Sequence, residues 1–135
     1  MSEKQEYLDE MVRARGYVLP YHKVLAETDL DALRAINGLI EAVYLKERRL
    51  DRKTKELLFV LSLTVMRSER GHIKSHIRAA LDAGASEEEV LEAIEISLPE
   101  AGVVAFQHGF DAWREITGAT GLEPTVEAYE GAGDG

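Results

Sequence analysis

Leu57-Leu58-Phe59-Val60-Leu61-Ser62-Leu63-Thr64-Val65-Met66 is the most apolar run of the chain. Its 10 residues are too few to span a bilayer and are apolar on nearly every side of a helical wheel. They predict the central, buried helix of a helical protein. Asp51 is placed to cap that helix, its carboxylate accepting from first-turn N–H groups. A break around Ser68 to Gly71 separates the run from Glu69-Arg70-Gly71-His72-Ile73-Lys74-Ser75-His76. Here Glu69, His72 and His76 are spaced i, i+3 and i+7. On a helix advancing about 100° per residue they fall within about 60° of one face. His72 and His76, four apart, stand one above the other. Three titratable side chains beside an apolar segment make a candidate proton-transfer or metal-binding group.

Outward from this core the periodicity is helical, and no β-alternating run appears. Upstream, Ser2 and Gln5 have capping-box spacing and open a helix that Gly16 ends near Arg15. Pro20 interrupts the chain, with a short helical turn through Leu25. Thr28 or Asp29 caps a helix with Leu30, Leu33, Ile36, Leu39, Ile40, Val43 and Tyr44 on one stripe. Downstream, the two-histidine helix runs to Gly84. Ser86 and Glu89 form a second capping box for a helix to about Ser97. Pro99, at or near the first helical position, opens a last helix carrying Phe106, Phe110 and Trp113. The expectation is an all-α single domain over 1–118, a bundle of about six helices. An acidic, Gly-rich tail over 119–135 reads as disordered.

The charge balance narrows the partners. With 25 acidic against 16 basic residues the net charge is −9. Nucleic acid and anionic membranes both call for a basic face, so neither is expected as a partner. The absence of cysteine removes disulfides, thiolate metal sites and redox dithiols. The polar N-terminus lacks the apolar core of a signal peptide, so a soluble cytoplasmic protein is expected. The exposed apolar flank of Phe106, Phe110 and Trp113, with the apolar central helix, points to a homo-oligomer.

The pieces Lys55-Glu56-Leu57-Leu58, then His76, Ala80 and Gly84, then Ser86-Glu87-Glu88-Glu89-Val90 follow one another in a family pattern. The segment from Asp51 to Trp113 resembles the carboxymuconolactone decarboxylase and alkyl hydroperoxidase D superfamily. The resemblance implies an alkyl hydroperoxidase D-like (AhpD-like) helical bundle assembling as homotrimers or homohexamers, with an active site centred on His76. In the peroxidase branch the motif is Cys-x-x-Cys-x-x-x-His. Glu69 and His72 stand at its two cysteine positions, so thiol-dependent peroxide reduction cannot run here. In the decarboxylase branch His72 stands where a glutamate precedes the histidine, and Lys74 and Arg78 match basic positions. The register shifts by one when counted forward from the central helix, and the family's Gly-x-Pro-Ala stretch reads Leu98-Pro99-Glu100-Ala101.

Each site residue also has a bland reading. His76 can be read as a hydrogen-bonded core histidine, and His72 as a partly exposed partner of Glu69 or of a neighbouring subunit. Glu69 at a helix start can simply complement the dipole. Glu56 faces the pocket in this fold or lies at a subunit salt bridge. Lys74, Arg67, Arg70 and Arg78 are anion contacts or a solvated face. His22 and His108 read as packing or surface histidines. The leading expectation is a cofactor-free lyase for a small anionic organic acid such as a carboxylated lactone. Its catalytic residues are His76, His72 and Glu69; its substrate contacts are Lys74, Arg78 and Glu56. A cysteine-less relative that has lost catalysis and serves in binding or assembly is one alternative. A metal site built from Glu69, His72 and His76 is another.

Overall fold

The structure is a computed structural model that describes residues 2–119. The described residues form seven α-helices and no strand. The chain divides at Leu50/Asp51 into two compact units. All but the first residue of the expected tail, 119–135, lies outside the described residues.

The first unit holds α1 (Glu3–Arg15), α2 (Pro20–Thr28) and α3 (Leu30–Ile40). Ser2 Oγ accepts from the Gln5 N–H at 3.2 Å, but the Gln5 side chain turns to Asp9, so only half of the expected capping box forms. Gly16 ends α1 in the left-handed region at φ 90°, which a side chain would disfavour. Pro20 does not merely interrupt the chain. It occupies the first position of α2, where its missing N–H costs nothing, and the helix runs nine residues to Thr28. Of the two proposed caps for α3, Asp29 does the work, accepting from Ala32 N–H at 3.0 Å. The stripe expected to continue to Tyr44 leaves α-geometry at Ile40 and finishes as a π-helical turn over Glu41–Leu45. Met11, Ala26 and Leu33 form the core, with Tyr7, Leu8, Val18, Leu25 and Leu30 packed around them.

The second unit holds α4 (Arg52–Val65), α5 (Arg70–Asp82), α6 (Glu87–Glu95) and α7 (Ser97–Thr117). Asp51 caps α4, accepting from Thr54 N–H at 2.8 Å. This is the helix expected to be buried on nearly every side, and it is not. Val60, Leu63 and Thr64 are buried, but Leu58 is 49% and Met66 72% exposed. In this unit the helix packs against α5, α6 and α7, and an apolar sequence does not by itself supply neighbours for every face. Arg67, at φ 56°, reverses the chain between α4 and α5. The capping box of Ser86 and Glu89 forms in both directions at 3.0 Å, because serine accepts from the N3 amide while the glutamate returns to the cap N–H.

Pro99 is the third residue of α7 rather than its first. The break comes at Gly102, at φ 83° and ψ 179°, a conformation open to glycine alone. Thus the sequence signal marked the right neighbourhood and the wrong residue. Further along, Gly109 faces the Thr64 and Ile94 side chains so closely that a Cβ would fall 2.9 Å from Thr64 Cγ2. That glycine lets α7 press against α4 and α6. The core gathers Val60, Leu63, Ile73, Ile77, Ala80, Val90, Ile94 and Ala112, with Phe106 and Trp113 partly buried against it. No helix among the described residues is long and apolar enough to cross a membrane.

Candidate functional site

α4 and α5 pack side by side and bring Glu56 opposite His76. Glu56 sits one turn inside α4, on the stripe that also carries Val60 and Leu63. It is wholly buried. A carboxylate in that position needs partners for its charge and lone pairs. His76 and Arg52 are two of them. His76 Nδ1 lies 2.7 Å from Oε2, and Arg52 Nε donates to Oε1 at 2.8 Å. Arg52 reaches Glu56 from four residues earlier on α4, with 43% of its side chain exposed. The imidazole of His76 is stacked on Phe59, ring centres 4.5 Å apart and planes 9° from parallel. His72 lies against it from one turn earlier, at 5.3 Å between ring centres.

These contacts fix an orientation. A carboxylate accepting from Nδ1–H selects one tautomer and directs Nε2 as the atom that gives or takes a proton. Burial of the His72 ring, and then the neighbouring charge on His76, hold His72 below its ordinary pKa; Glu69 opposes this. A histidine whose neighbour disfavours its protonation suits a site that moves one proton at a time.

The other sequence candidates lie elsewhere. Glu69 is the residue before α5, with ψ 142°, so its backbone has left the helix and its side chain is exposed. The shared helical face therefore holds His72 and His76 without Glu69. Among the described residues no three His, Cys, Asp or Glu side chains gather closely enough to hold a metal ion. The triad of Glu69, His72 and His76 is thus not formed: Glu69 stands outside the helix and Nδ1 of His76 is engaged by Glu56. Lys74 lies two residues from His76, about 200° around the helix. It pairs with Glu115 of α7, which also takes Arg70 at 2.6 Å. Hydrogen bonding to Lys74 holds the Glu115 carboxyl below its ordinary range. Arg78 is exposed, again about 200° from His76. His22 belongs to the first unit, where it is buried and its Nδ1 accepts from Leu19 N–H at 2.8 Å. His108 is exposed.

Two participants were not singled out from the sequence. Phe59 and Arg52 lie three residues after and four before Glu56, the spacing that puts both on its side of α4. Placing Glu56 at the centre of a helical wheel would have found them. No curated protein and no solved structure gives a significant match to this chain. The carboxymuconolactone decarboxylase family, however, matches residues 31–115, a span that holds Glu56, His72 and His76. With more than half of its length inside that match, the chain belongs to the carboxymuconolactone decarboxylase family.

Proposed function

We propose that this protein is a cofactor-free lyase that decarboxylates a small carboxylated lactone or a related organic acid, with His76 as the general acid/base. The observation that carries the reading is the hydrogen bond from His76 to the wholly buried Glu56. A surface histidine has no need of such a partner. An imidazole that must present Nε2 in one tautomer does.

In the reaction the bond between the carboxylate carbon and the ring breaks and carbon dioxide leaves. The electron pair passes into the conjugated carbonyl, and a ring carbon then takes a proton from Nε2–H of His76. The neutral imidazole regains its proton from solvent. Glu56 holds the ring and stabilises the imidazolium form. Phe59 covers one face of the ring, so proton exchange is confined to its edge. His72, held toward its neutral form, is placed to pass a proton to or from His76. General acid–base catalysis of this kind is worth on the order of 10²–10⁴ in rate.

The test is release of carbon dioxide from a panel of carboxymuconolactone-like acids, by the protein and by His76→Ala. Turnover that depends on His76 supports the lyase. If the whole panel stays at background, the second reading takes its place: a cysteine-less relative acting in binding or assembly. Thiol-dependent peroxide reduction should stay at background, because without cysteine no sulfenate or disulfide can form. We also propose self-association into a trimer or hexamer. It is supported by large apolar side chains left exposed on the single chain, among them Met66 at 72% and Val103 and Val104 at 60%. Light scattering that gives one 15.0 kDa chain at micromolar concentration would dismiss it.

A further inference from the structure

We propose that Arg15 and His22 of the first unit form a binding site for a small oxyanion, a carboxylate or phosphate group that sets two oxygens against one edge of the Arg15 guanidinium. The inference goes beyond the lyase reading and does not depend on it.

Arg15 is the last residue of α1, where a cation complements the partial negative charge of the helix end. That gain does not require burial. Arg13, exposed in the same turn, supplies it from solvent, and an arginine ordinarily keeps its charged head in water. Arg15 does the opposite. Its Nε and Nη2 are both enclosed, and among the described residues neither has a hydrogen-bond partner. The N–H bonds of these two nitrogens run side by side along one edge of the guanidinium, the edge that takes a carboxylate or phosphate with two parallel bonds. An enclosed cation with a whole edge unmet is costly, and folded proteins rarely leave one so. Arg114 also has an enclosed, unmet Nε, but its Nη2 lies 3.8 Å from Asp111.

The start of α2, which packs against α1, adds positive character and no acid. A helix N-terminus favours Asp or Glu, yet the first turn of α2 contains neither. Its cap residue, Leu19, has no side-chain acceptor to offer, and His22 serves instead, Nδ1 accepting from Leu19 N–H at 2.8 Å. That bond leaves the proton of the neutral ring on Nε2, as a donor. His22 is buried, and burial and then the charge on Arg15 hold its pKa below the ordinary value, so the guanidinium stands near the ring. Acids of this unit are engaged with other groups: Glu3 meets Arg34, Glu27 meets Lys4 and Glu41 meets Asn37. An oxyanion at Arg15 would accept from Nε and Nη2 together and neutralise the enclosed charge. The neutral imidazole beside it offers a further donor without adding charge.

The experiment is a ¹H–¹⁵N NMR titration of the arginine Nε–H and histidine ring signals of the intact chain, at constant pH. The titrants are sodium acetate, sodium phosphate and, at matched ionic strength, sodium chloride. Arg15→Lys identifies the Arg15 signal by its loss. In the parent that signal should move to saturation with acetate or phosphate, with a Kd on the order of a millimolar, the range that two charge-assisted hydrogen bonds give. The His22 ring signals should follow it with the same Kd, and chloride should saturate neither. The oxyanion that saturates at the lower concentration names the source: acetate a carboxylate compound, phosphate a phosphorylated one. Arg15→Lys keeps the charge and loses the paired edge, so its His22 signals should need at least about tenfold more oxyanion. An Arg15 signal that stays fixed in both oxyanions, or that follows chloride as closely, overturns the proposal. So does an Arg15→Lys protein whose His22 responds at the parent's concentrations. None of these readouts involves turnover, so the oxyanion site and the lyase reading fail separately.

Discussion

Two sets of ion pairs flank α5, and they are chemically alike but physically opposite. On one side His76 meets Glu56, a carboxylate with no exposed surface, and Arg52 closes the other oxygen. On the other side Arg70 and Lys74 meet Glu115 and Asp111, all with about a quarter to a half of their side chains in solvent. Water screens the second set and cannot reach the carboxylate of the first. The same attraction that is worth little at a surface becomes decisive where the alternative is an unpaired buried charge. This contrast separates the part of the helix proposed for chemistry from the part that holds α5 to α7.

The largest expected difference is in rate. On a substrate that the protein turns over, His76→Ala should lower kcat by on the order of 10²–10⁴, the range for loss of a general acid. Lys74→Ala, two residues away on the other face, should leave kcat within about twofold of the parent, since a screened surface pair carries no more than about 1 kcal/mol. Steady-state kinetics on the two variants checks both.

In stability the two sets should differ almost as widely. Glu56→Ala leaves Arg52 and His76 without their carboxylate and opens a cavity. Removing one partner of a buried pair typically costs about 3–5 kcal/mol. Arg70→Ala should cost about 0–1 kcal/mol. Urea unfolding midpoints measure the pair, and a Glu56→Ala protein no less stable than Arg70→Ala would erase the distinction.

Acid gives a smaller and more gradual effect. His72 is held below its ordinary value of 6.5 by burial and by His76; His22, in the other unit, is held below it by burial and then by Arg15. Unfolded chains bind these protons at higher pH than the folded protein does. The stability both residues contribute is therefore complete above about 6.5 and is lost as pH falls through their lower folded values. Replacing either with Gln should flatten the decline, His22→Gln more so, because its ring is almost wholly enclosed. Unfolding midpoints taken from neutral pH down to about 4.5 test the sign. A decline left unchanged by both substitutions would contradict it.

Much of this organisation is legible in the sequence, for identifiable reasons. Asp51 and the Ser86–Glu89 pair announce their helices because a cap is local: the hydrogen bonds join residues three apart. The histidine pair is legible because a four-residue spacing on a helix fixes proximity. The same arithmetic groups Glu69 with the pair and fails, because the backbone leaves the helix at that residue. Whether a helix is enclosed is not local at all. Leu57 to Met66 is apolar on nearly every side, yet the exposure of Leu58 and Met66 depends on how many neighbours arrive. The hydrogen bond from His76 to Glu56 spans 20 residues. No periodicity reveals it; only the family pattern placed both residues near one pocket.

The central claim is that Glu56 and His76 act as one catalytic unit. A double-mutant cycle in kcat tests it most directly: the parent, Glu56→Gln, His76→Ala and the double variant, on a carboxylated lactone the parent decarboxylates. Glu56→Gln keeps the shape but not the charge that orients the imidazole. The account predicts that each single change lowers kcat steeply and that the double variant is no slower than His76→Ala alone, since Glu56 works only through that ring. Losses that multiply in the double variant, or a Glu56→Gln protein with the parent's kcat, would contradict it.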